Sequence, residues 1–127
     1  MSKTKKITPQ AMEDLALKMI EFFDKKGFWF EMGIYVNHKR LASDSSKGAT
    51  KAVTKGGVAY FITEEVEVKD YIEYSNPETL TIYFEGPLYH KINYDDFDYL
   101  QKLDEKFLKP FGLYFEQGHA WNMSAYG

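Results

Sequence analysis

Three glutamates share one context: Glu31, Glu85 and Glu116 each follow a phenylalanine and precede a glycine within two residues. Two carboxylates on one surface can serve as acid and base, as in glycoside hydrolysis, and Glu31 with Glu116 is the pair a small hydrolase would use. That chemistry needs a cleft, and no motif in the chain supplies one. Phe-Glu is also the ordinary in–out alternation of a half-buried strand. The histidines His38, His90 and His119 lack the His-x-x-x-His spacing of a metal site, so no metal is expected. Ser43, Ser45 and Ser46 have no Gly-x-Ser-x-Gly elbow, and Gly56-Gly57 lacks the Gly-Lys-Ser/Thr context of a phosphate loop. Cysteine is absent, which removes thiolate catalysis, disulfides and cysteine-bound zinc together. The expectation is a non-enzymatic chain with no cofactor.

Binding is better provided for. The chain has ten tyrosines and ten phenylalanines. Each buried tyrosine hydroxyl needs a partner, so ten tyrosines point to some on the surface, where they favour recognition. The net charge is only −3, but charge is segregated. From Asn37 to Gly57, five cations (Lys39, Arg40, Lys47, Lys51, Lys55) stand against Asp44. From Glu64 to Glu78, six acids (Glu64, Glu65, Glu67, Asp70, Glu73, Glu78) stand against Lys69. Either patch can steer a partner. The basic one would bind nucleic acid through phosphates, with the steep salt dependence of counterion release.

What positions these residues is read from periodicity. Thr8 is an N-cap, Pro9 suits the first helical position, and Met12, Leu15, Met19, Phe22 and Phe23 form one apolar stripe up to Gly27. An internal match at offset 85 repeats this plan: Gly27 to Asn37 aligns without gaps on Gly112 to Asn122, sharing Gly, Phe, Glu, Gly and Asn. Upstream, Thr8, Met12, Leu15, Phe22 and Phe23 fall on Asn93, Phe97, Leu100, Phe107 and Leu108, whereas Met19 falls on Asp104. The spacing predicts two helix–strand units, 8–37 and 93–125. Between them come a flexible loop over 43–57, a strand over Val58 to Thr63, one or two helical turns within Val68 to Ser75, and an alternating strand over Leu80, Ile82 and Phe84. Leu88 to Asn93 is expected as an edge strand.

The predicted fold is a single α+β domain: a mostly antiparallel sheet of four or five strands with two helices on one face. Alternation puts Phe28, Phe30, Met32, Ile34 and Val36, and Leu113, Phe115, Gln117, His119 and Trp121, against the helices. The opposite face then shows Trp29, Glu31, Tyr35, Tyr83, Tyr114 and Glu116, with no helix to cover it; a glycine-associated bulge would swap the faces beyond it. This aromatic face and the acidic Glu64, Glu65, Glu67 and Asp70 are the expected protein-binding residues, a second minor core or a homodimer contact being the other uses of such a face.

A chain of 127 residues fits one domain. It has no apolar run long enough for a membrane span, and no signal-peptide stretch follows the basic Met1 to Lys6. The expected location is the cytoplasm of a host cell. The segments Leu80-Thr-Ile-Tyr-Phe-Glu-Gly-Pro-Leu-Tyr89 and Gly112-Leu-Tyr-Phe-Glu-Gln-Gly-His-Ala-Trp-Asn-Met-Ser-Ala-Tyr126 resemble stretches in small accessory proteins of Gram-positive phages and conjugative elements. The resemblance spans most of the chain outside 43–57. It implies a role in blocking host defence, of the anti-CRISPR or anti-restriction kind, by binding a nuclease complex. It carries no catalytic residues with it.

Overall fold

The computed structural model describes residues 7–45, 49 and 51–127. Helix α1 (Pro9–Lys25) begins as its sequence dictates: Thr8 Oγ1 accepts the Ala11 N–H at 3.1 Å, satisfying one of the free donors of the first turn. Met12, Leu15, Ala16, Met19, Ile20 and Phe23 are buried along one stripe. Gly27, at φ +80°, lets the chain leave the helix while the Phe28 N–H returns to the Phe23 carbonyl.

Among the described residues seven antiparallel strands follow: β1 (Met32–Val36), β2 (Lys39–Ala42), β3 (Lys51–Lys55), β4 (Val58–Glu64), β5 (Leu80–Phe84), β6 (Tyr114–Gln117) and β7 (Asn122–Tyr126). They form one sheet in the order β3-β4-β2-β1-β5-β7-β6. The α+β class is as expected, but the sheet is larger than four or five strands. Part of the difference lies in the expected 43–57 loop, where Lys51–Lys55 pairs with β4 as an edge strand. Gly56 and Gly57 both take positive φ (+61° and +83°), the backbone a two-residue hairpin turn requires. Asn37 and His38 do the same between β1 and β2, at +52° and +62°.

The predicted edge strand over Leu88 to Asn93 is instead helical. Pro87 starts the short α2 (Pro87–His90), which runs into a π turn over Lys91–Asp95. Helix α3 (Tyr99–Leu103) then passes into a second π turn over Asp104–Leu108 and a 3-10 turn over Lys109–Phe111. Asn93 is therefore no N-cap; its amide donates to the carbonyls of Tyr89 and Ala120, both at 2.9 Å. Gly112 (φ +72°) and the Leu113 N–H to Leu108 carbonyl bond repeat the ending of α1. Beyond that point a duplicated unit is not shown: β1 falls, at offset 85, on Gln117 to Trp121, the end of β6 and the turn into β7. Of the shared residues, Gly33 lies in β1 but Gly118 in the hairpin turn, and Phe30 lies in the loop before β1 but Phe115 in β6.

One face of the sheet presents Met32, Ile34, Val36, Leu41, Leu80, Ile82, Phe84, Phe115 and Met123 to α1, α2 and the helical segments before Gly112. Phe22 bridges the helices, its ring 5.2 Å from that of Phe107. Each such side chain contributes roughly 1.5–3 kcal/mol by leaving water.

Candidate functional site

The opposite face is not open. Residues 65–79 cross it as a strap, anchored at its start by the Val66 N–H on the His38 carbonyl. Val66, Val68 and Ile72 pack on Tyr35, which is only 6% exposed, with Tyr83 and Trp121 at the margin. The expectation of an uncovered face is thus corrected: a chain with only one turn of 3-10 helix (Val68–Asp70) covers it. Tyr35 lies between Tyr71, stacked at 6.0 Å, and Tyr83 at 5.9 Å. Tyr83 fills the space left by Gly33, where a Cβ would meet its ring at 2.6 Å. Burial pushes its hydroxyl pKa up to about 12, against the lowering effect of nearby Arg40.

Polar bonds hold the strap. Asn122, fully buried, donates its amide to the Tyr74 carbonyl at 2.7 Å and accepts the His119 N–H at 2.8 Å. Asn76 donates to the Ala125 carbonyl at 2.7 Å, and the Thr81 and Ser124 hydroxyls share a 2.7 Å bond beneath. Tyr71 and Tyr74 are left outermost, 59% and 53% exposed, with Tyr114 at 45% on the neighbouring edge strand. His119 stacks flat on Trp121 at 5.1 Å and meets Tyr74 at 5.0 Å. Tyr74, His119 and Trp121 thus make one aromatic surface, of which Tyr74 lies on the acidic segment.

The predicted residues divide. Tyr35, Tyr83, Tyr114 and Glu116 do belong to the second face, although Tyr35 and Tyr83 are covered by the strap. Trp29 does not: it packs against the main core and donates its indole N–H to the Ala59 carbonyl at 3.0 Å. The cause is Glu31, whose φ of +53° breaks the alternation before β1 begins and leaves Phe30 exposed. Trp121 and His119, expected against the helices, turn to the strap side, and Gln117 bonds Asn93 at the rim.

Glu31 and Glu116 are not brought together. Pairing runs from Tyr35 through Thr81 and Ser124 to Glu116, three strand spacings or about 14 Å. Glu31 lies four residues further along its own chain, about another 13 Å. Paired carboxylates of glycoside hydrolysis sit within ~9.5 Å. Glu116 and His119 have Glu-x-x-His spacing, but on a strand and its turn, and no group of three His, Asp or Glu suited to a metal occurs among the described residues.

On the acidic segment, Glu64 meets Lys51 at 3.8 Å and Glu67 meets His38 at 2.9 Å, while Glu65 and Asp70 are exposed. The basic set is largely engaged. Lys39 pairs with Glu13 at 3.0 Å; Arg40 donates to Thr63 Oγ1 at 3.2 Å and lies 6.0 Å over the Tyr71 ring. Lys55 is exposed, and Lys47 lies outside the described residues. No described helix is long and apolar enough to cross a membrane.

No protein-family model, curated protein or solved structure matches the chain. Strand alternation does not single out Tyr71, Tyr74 or Tyr126; the sequence signal for the first two is their spacing, three residues apart inside the acidic run.

Proposed function

We propose that the chain is a non-enzymatic binding protein whose acidic, tyrosine-bearing strap docks on a basic protein surface. In the fuller form, it is a mobile-element inhibitor of a host defence nuclease, acting by protein–protein contact in the host cytoplasm. The carrying observation is the strap itself. It projects Tyr71 and Tyr74 among Glu65, Glu67, Asp70 and Glu73, while its buried side supplies the packing that fixes it. Exposed tyrosines on a rigid base are hot-spot material, because little side-chain freedom is lost when they are covered. The carboxylates select a cationic partner and speed the encounter. A nuclease's nucleic-acid groove is a surface of that kind.

The test is cleavage of a DNA substrate by RNA-guided and restriction nucleases of Gram-positive origin, with the chain titrated in. Inhibition should saturate near one chain per nuclease, and the E64K/E65K/E67K variant should lose at least ten-fold in potency with its fold intact. Unimpaired cleavage by every nuclease tried, or turnover of a substrate by the chain itself, contradicts the proposal.

A further inference from the structure

At one end of the aromatic surface, where the strap meets the β6–β7 hairpin, lies a notch of about 200 Å³ lined by Tyr74, Glu116, Gln117, Gly118 and Tyr126. It is too small for a drug-sized ligand, which needs ~300 Å³ or more, but it suits the head of one side chain. We propose that it receives an arginine side chain of the protein partner; this rests on the binding role proposed above and gives it a point of specificity.

The chemistry follows from the walls. Tyr74 and Tyr126 supply aromatic surface, against which a planar guanidinium can stack. Glu116 supplies a carboxylate, and its Oε2 accepts a bond from the Tyr114 hydroxyl at 3.4 Å. Among the described residues no cation lies in ion-pair contact with Glu116. A carboxylate facing an aromatic-walled notch is complementary to a cation. Arginine satisfies both features at once, through a forked bond to the carboxylate and stacking of its plane. Lysine offers only a point charge.

The notch is preformed. Gly118 is close beneath Tyr74: a Cβ there would lie 2.6 Å from Tyr74 Cβ and 3.0 Å from its carbonyl oxygen. The Gly118 N–H bonds the Asn122 carbonyl, and the buried Asn122 side chain holds the Tyr74 carbonyl. Tyr126 and Glu116 project from paired strands on the same sheet face. A guest therefore meets walls already in place, which reduces the ordering cost of binding.

The test uses the full chain and N-acetyl-arginine amide as probe, followed by amide NMR shifts, with N-acetyl-citrulline amide as the neutral isostere. Saturable shifts at Tyr74, Glu116, Gly118 and Tyr126, in the millimolar range expected of one side chain, are predicted for the arginine probe. E116Q should weaken it at least ten-fold and Tyr126→Leu roughly five-fold, with spectra elsewhere unchanged. E64K/E65K/E67K, outside the notch, should leave it unaltered. Equal shifts from the citrulline probe, an unaffected E116Q, or no shifts at the notch overturn the inference. Nuclease inhibition without arginine binding removes this site and leaves the proposed function standing. Arginine binding without inhibition of any nuclease does the reverse.

Discussion

Behind the sheet, α1 and the helical segments before Gly112 press a continuous apolar surface, in which Phe23, Phe84, Ile82 and Met19 are closed off from water. In front, a strap with little regular structure rests Val66, Val68 and Ile72 on Tyr35 and is held to the sheet by individual hydrogen bonds of Asn122 and Asn76. The same strands serve both layers. Burial of area secures the first, without fixing any single contact. Discrete polar bonds secure the second, and they fix position while adding little net energy. A surface meant to hold tyrosines and carboxylates in a set arrangement is better served by the second kind of construction.

That contrast can be broken by substitution. Phe84→Ala, in the central strand, should cost about 3–5 kcal/mol in urea unfolding; a loss under about 1 kcal/mol would mean that the helical layer is not the stabilising one. Asn122→Ala should cost about 2–3 kcal/mol, since it strands the Tyr74 carbonyl and His119 N–H near the sheet. It should also speed hydrogen exchange at the strap before the helices respond. Uniform acceleration would show that the two layers open together.

Alkali should tell most on the front layer, although burial also raises the Tyr60 and Tyr99 hydroxyls of the back layer above their ordinary value. Tyr83 holds its proton to about 12, above its ordinary value of 10.0, because burial disfavours the phenolate. The folded state then keeps a proton that the unfolded chain releases, so stability is whole below pH 10 and falls as pH rises toward 12. Tyr83→Phe should flatten that fall in a pH series of unfolding midpoints; an unchanged slope would assign it to another group. The smallest effect belongs to Glu13→Gln. It breaks the partly exposed Lys39 pair and should change stability by less than about 1 kcal/mol.

The back layer was legible in part: α2, in the stretch expected as an edge strand, was not. Thr8-Pro9, the stripe from Met12 to Phe23, and Gly27 spell out α1, and the alternation around Ile82 spells out β5; both are local patterns whose physics is local. The front layer depends on events with no local signature. Positive φ at Glu31, a residue that rarely adopts it, turned Trp29 into the core. Val66, Val68 and Ile72 are too sparse to announce a covering strap. The match between 27–37 and 112–122 misled because one stretch is loop and strand while the other is strand and turn. The Gly56-Gly57 hairpin had a readable signal, two glycines between Thr54-Lys55 and a β-branched residue, but its polar surroundings read as a loop.

On the proposed function, the exposed tyrosines of the strap serve recognition while the layer behind the sheet serves stability. Tyr71→Ala/Tyr74→Ala tests it in one nuclease-inhibition titration read beside the urea midpoint. Inhibition should weaken at least ten-fold in a protein within about 1–2 kcal/mol of the parent's stability. Full inhibitory potency in that variant would contradict it.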